Sequence, residues 1–180
     1  MQRTIVAPAE LPGAALDELK QWLAIRSLSD DAALTAQLRS ALEMCEAFTG
    51  TLPLVASCEE VLPASAEWQA LVTRPVQAII GLEAIPAEGS RYALAPDAYA
   101  IELEADGRGL VRVVRQGSAG RVAVRFTAGL APAWELLPDG LRHGAVRLAA
   151  HHWRTRDSGA DAGPPAAVAA LWRPWRRMRL

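Results

Sequence analysis

The stretch "YAIELEADGRGLVRVVRQGSAGRVAVRFTAG", residues 99–129, decides the fold. Tyr99, Ile101 and Leu103 alternate with other residues, as do Val111 with Val113, and Val122 with Val124 and Phe126. A period of two marks strands with one face on a core. "DGRG" (106–109) and "GSAG" (117–120) read as Gly-bearing hairpin loops between them. Arg112, Arg121 and Arg125 fall on the outward positions.

The β texture extends backward. "VTRPVQAIIGLEAI" (72–85) reads as extended, because Pro75 holds Arg74 out of the helical region. "SRYALAPDAYAIEL" (90–103) gives two short strands around Pro96-Asp97. Strands at such close spacing predict a small antiparallel sandwich or barrel.

Helical periodicity lies on either side. "AALDELKQWLA" (14–24) repeats Leu16, Leu19 and Leu23 with Trp22 beside them, and Asp17 and Glu18 stand near its start. In residues 30–49, Leu34, Leu38, Ala41, Leu42, Cys45 and Phe48 form one stripe. Ser29 or Asp30 can cap that helix, and Gly50 suits its C-terminal positive-φ position. Residues 138–156 return to helix, with Leu141, Ala145, Leu148, Ala149 and His152 on one face. "DSGADAGPP" (157–165) is a linker, and "AAVAALW" a short helix stopped by Pro174.

The expected class is therefore α+β: a small helical bundle from N- and C-terminal helices, with an antiparallel β-rich insertion. The segments are 1–51 (N-terminal helices), 52–130 (β insertion), 131–157 (third core helix) and 158–180 (linker, short helix and tail).

At 180 residues, 51% apolar and 22% charged, the chain can bury a core. No run approaches ~18 apolar residues, so no transmembrane helix is expected. The start, "MQRTIVAPAELPG", reads as no secretory signal. Cys45 and Cys58 read as buried free thiols of a reducing compartment.

Charge is polarised: residues 1–106 hold 16 acidic and 6 basic side chains, net −10; residues 107–180 hold 4 and 13, net +9. Such asymmetry fits contact with nucleic acid, or a subunit showing opposite charge to its two neighbours.

Catalytic motifs are wanting. His151 and His152 are adjacent on a helix and point ~100° apart, with His143 eight or nine residues back, so a shared metal is not expected. Glu59-Glu60 and Glu102 with Glu104 read as the solvated faces of strands rather than a glycosidase pair. Ser27, Ser29 and Ser118 lack a nucleophile elbow. No enzyme, metal or cofactor is expected. A DNA-binding module using Arg112, Arg121 and Arg125 near Phe126 is the alternative reading.

The chain closes on "ALWRPWRRMRL" (170–180). Trp172 shares a helical face with Val168 and can enter the core; Trp175 lies past Pro174. Aromatic and Arg side chains are the common anchors of interfaces.

Several stretches together carry a resemblance. They are "LDELKQWLAI…SDDAALTAQLRSALEMCEAFTG", "TRPVQAI", "VRFTAGLAPAWELLPDGLRHGAVRLAAHHWRTRD" and the closing "ALWRPWRRMRL". In this order the chain resembles the head–tail connector (adaptor) family of long-tailed phages, including the adaptors of bacterial gene transfer agents. It departs from that pattern at Trp175, where Tyr is frequent, at Ala24, where Arg is common, and in a longer β block. The resemblance implies a structural ring, typically dodecameric, beneath a portal protein and above a tail-side neck or stopper protein. DNA would pass through its channel without specific recognition, with no membrane partner and no catalysis. It implies a location in the particle neck, with assembly in the bacterial cytoplasm. The implied portal-docking tail is Trp172, Arg173, Pro174, Trp175, Arg176, Arg177, Met178, Arg179 and Leu180.

Overall fold

The computed structural model describes residues 3–115, 117, 119–155 and 163–176. The chain divides into two compact units, Met1–Ala9 with Val55–Leu130, and Glu10–Leu54 with Ala131–Leu180.

The first unit carries eight strands among the described residues: β1 (Arg3–Ala7), β2 (Ala56–Pro63), β3 (Gln69–Ala70), β4 (Val76–Ile85), β5 (Tyr92–Ala93), β6 (Tyr99–Leu103), β7 (Gly109–Val113) and β8 (Arg121–Ala128). They form two open sheets, β1-β2-β8-β4-β5 and β3-β7-β6, with every strand pairing antiparallel. The barrel alternative is thereby corrected. β1 and β5 each pair on one side only, and β5 is two residues long, too short to close a sheet.

The "DGRG" hairpin forms as expected, with Leu103 opposite Gly109. The Arg108 backbone N–H donates to Asp106 and, with the Arg108 guanidinium, holds that carboxyl below its usual range. β7 and β8 do not pair as the hairpin expected across "GSAG": β7 belongs to the three-stranded sheet and β8 to the five-stranded one. β8 is instead flanked along its whole length, by β2 from Ala56–Ala128 to Pro63–Arg121 and by β4 from Val76–Ala128 to Ile85–Arg121. Two long ladders outweigh what one local turn could offer.

A second correction concerns residues 1–51. Arg3–Ala7 is not part of the helical segment but pairs with β2, Arg3 opposite Glu60 and Ile5 opposite Cys58.

One face of β2 and β8 is core: Cys58 opposite Phe126, Glu60 opposite Val124, Leu62 opposite Val122, all buried. Glu60 is therefore no solvated acid. Its Oε2 accepts the Val72 N–H (2.9 Å), and its Oε1 accepts the N–H (2.9 Å) and hydroxyl (2.7 Å) of Thr73. The carboxylate ties the segment before β4 to β2, satisfying groups that would be costly to bury unpaired.

The second unit holds α1 (Gly13–Leu23), α2 (Asp31–Thr49), α3 (Asp139–Thr155) and α4 (Ala166–Trp172). The predicted stripe of α2 is its buried face, from Leu34 through Leu38 and Ala41 to Cys45. Gly50 ends it at φ 72. Asp30 stands at the N-cap but makes no side-chain cap bond. α2 packs on α3, and α3 on α4, while α1 touches both α2 and α3. Glu18 does not serve the α1 first turn; its carboxylate accepts the Nε1–H of buried Trp134 at 3.0 Å.

Candidate functional site

α4 begins after Pro165 and is only seven residues long, so packing rather than propensity holds it. Val168 and Trp172 turn inward together, and Trp172 is fully buried. Its indole N–H donates to the Leu141 carbonyl at 3.3 Å, and its ring lies 6.0 Å from that of Phe48. α3 makes room through Gly144: a Cβ there would overlap the indole, with Cε2 only 2.7 Å away. The aromatic was legible from its spacing to Val168; the glycine it needs, 28 positions earlier, carried no local signal.

Beyond Trp172 the chain makes a 3-10 turn, Arg173–Trp175, rather than breaking outward at Pro174. Trp175 is 37% exposed, with its indole nitrogen beside Gly140, 3.6 Å from where a Cβ would stand. The Arg176 guanidinium lies 5.3 Å over the Phe48 ring. Of the expected docking residues, Trp172 is thus a core anchor, while Arg173, Pro174, Trp175 and Arg176 are surface groups. Arg177, Met178, Arg179 and Leu180 lie outside the described residues.

The other candidate groups separate. His151 and His152 have ring centroids 6.2 Å apart, and burial, then the neighbouring His151, lowers the His152 pKa. No cluster of three metal-ligating side chains occurs among the described residues. Glu59 is an ion-pair hub, 2.8 Å from Arg91 and 3.7 Å from Arg125, whereas Glu60 faces the core. Glu102 is exposed on β6. These acids share no common geometry. Both cysteines are free and buried, and desolvation pushes the Cys45 thiol up to about 12, far from a reactive thiolate.

The three arginines all point outward but do not make one basic face. Arg112 belongs to the smaller sheet and stacks on Trp68, 4.7 Å from the ring centroid. Arg125 on the larger sheet is flanked by Glu59 and Glu83. Phe126, the nearby aromatic, is fully buried and so offers no stacking face.

Spacing placed Trp22 alongside the inner stripe of α1. It is instead 48% exposed, with the Arg147 guanidinium 5.4 Å over its ring.

Comparison with known proteins now adds to this geometry. No family model and no curated protein matches the sequence. Solved structures do. The chain is similar to chains of gene transfer agent particles. One is from the neck of an empty particle computed with C6 symmetry: 26% identity, TM-score 0.77, covering 100% of this chain and 97% of that one. A second is from the virion of a native gene transfer agent particle, at 28% and 0.75, and a third from the neck of the native particle computed with C12 symmetry, at 29% and 0.74, with the same coverage. These likenesses support a structural protein of a phage or gene transfer agent neck.

Proposed function

We propose that this protein is the adaptor subunit of a gene-transfer-agent or phage neck: one copy of a ring that joins the portal to the tail-side proteins around the DNA path. The observation that carries this reading is end-to-end likeness, covering 100% of this chain and 97% of the neck chain, so both units take part rather than one shared motif. The tail fits a docking role. Trp172 fixes α4 to α3, and Arg173, Pro174, Trp175 and Arg176 after it stand at the surface. In a ring, many weak tails act together, so each need bind only modestly. The role calls for no catalysis and no cofactor.

The test is deletion of residues 173–180, keeping Trp172 so that the helical unit keeps its core. Electron microscopy of the particles should then show heads separated from tails. Heads and tails joined normally would sink the docking role, and the chain's absence from purified necks would sink the whole reading.

A further inference from the structure

We propose that the solvent-facing strip of α3, formed by His143, Arg147, His151 and Arg154, is a contact for the phosphate backbone of DNA. It would then be the side of the helical unit that the ring turns toward its DNA. This deepens the ring reading above and rests on it.

α3 is closed in on most sides. Leu141, Gly144, Ala145, Val146, Leu148, Ala149 and Ala150 are all buried. His143, Arg147 and Arg154 are exposed and His151 half-buried. At 100° per residue these four fall within about 80° of arc and run about 16 Å along the axis. Arg142 and Gly144 turn 100° to either side of His143. Arg142 meets Glu18 of α1 at 3.9 Å, and Gly144 takes the Trp172 indole of α4. The strip is therefore what α1 and α4 leave uncovered between them.

Its charge is of one sign. From Asp139 to Thr155, α3 has no acid after Asp139 itself, which is taken by Arg142 at 3.0 Å. Elsewhere arginines meet carboxylates: Arg91 with Glu59, Arg125 with Glu59 and Glu83, Arg108 with Glu104 and Asp106. Neither Arg147 nor Arg154 has a carboxylate within ion-pair reach among the described residues. Arg147 has the Trp22 ring instead, which steadies the guanidinium without neutralising it. The strip also lacks the apolar centre of a protein interface, since none of the exposed large apolar side chains described lies on α3.

Donors arrayed in a line and answered by no acid suit an anion that is itself extended. The ring reading puts one such polyanion on its axis. Two guanidiniums per copy hold phosphate weakly, but a ring repeats them around the duplex. Contacts of this kind exchange with counterions and read no bases, so they let DNA slide rather than clamp it.

Photo-cross-linking in DNA-filled particles tests this. A full-length chain carrying His143→Cys is labelled with an aryl azide; Cys45 and Cys58 are buried and stay unlabelled. Illumination should attach the chain to DNA. The same label at Ala36→Cys, exposed on α2 opposite its buried stripe, should attach little. Adding Arg147→Ser and Arg154→Ser to the His143→Cys chain should cut the DNA adduct about tenfold while neck occupancy and thermal unfolding stay normal. Three results overturn the contact and leave the neck reading intact: adducts to protein only, equal adducts from both labelled positions, or a yield that survives loss of the two arginines. Absence of the wild-type chain from necks overturns both.

Discussion

Trp172 and Trp22 belong to the same helical unit and share a residue type, but their surroundings differ completely. Trp172 is buried, bonded to the Leu141 carbonyl and set over a glycine. Trp22 is half open, with the Arg147 guanidinium above its ring. The first has a place that only its own chain supplies. The second has a place that its own chain leaves unfinished. The contrast separates an aromatic that makes the fold from one free to serve an assembly, and composition alone cannot distinguish them.

The sharpest way to break that contrast is at α3. Gly144→Leu should abolish cooperative folding of the helical unit or lower its stability by more than about 3 kcal/mol, because the Trp172 indole cannot yield to a branched side chain. Trp172→Ala should cost about 3–5 kcal/mol in denaturant unfolding, the usual range for emptying such a site. A loss under 1 kcal/mol would show that Trp172 is not the anchor. Glu60→Ala strands the buried N–H and hydroxyl of Thr73 and the part-buried N–H of Val72, for an expected loss of about 1–3 kcal/mol. On the other side of the comparison, Trp22→Ala should cost clearly less than Trp172→Ala, since the ring is already 48% exposed and forfeits only part of a full burial together with its cation–π contact. A large loss there would erase the distinction.

The smallest effect is a pH dependence. Burial holds the His152 pKa below its ordinary value of 6.5, so the folded state takes up a proton less readily than the unfolded chain. Stability from this group is complete above pH 6.5 and falls as the pH drops below it. His152→Gln should flatten that part of the stability–pH profile, and an unchanged profile would remove His152 as a cause.

Legibility in the sequence followed locality. The α2 stripe and the 106–109 turn were readable because residues within a few positions decide them. The 117–120 turn misled because turn chemistry marks a reversal without saying which sheet the next strand joins; β8 found its partners more than 35 positions away, in β4, and farther back in β2. β1 escaped because five residues carry too little periodicity to announce a strand. Glu60 could have been found: Ala56, Cys58 and Leu62 share its alternation and are apolar, which places the acid on the inner face. For the candidate site, the adhesive character of the tail was visible in its residues. That Trp172 is held by Gly144, and that Trp22 faces out, depends on where α3 lies against its neighbours, which no local pattern records.

The placement of β8 also orders events on the ribosome. Every residue of the five-stranded sheet is outside the ribosome once Ala128 leaves the exit tunnel, when α3 has yet to emerge. α1 and α2, translated first, must wait for α3 and α4 to cover their apolar stripes, and domains fold as units only when their parts are present. The earliest helices are thus the last to be buried, and a nascent chain whose residue 130 has just emerged would offer a chaperone a sheet with all its strands beside two bare helices.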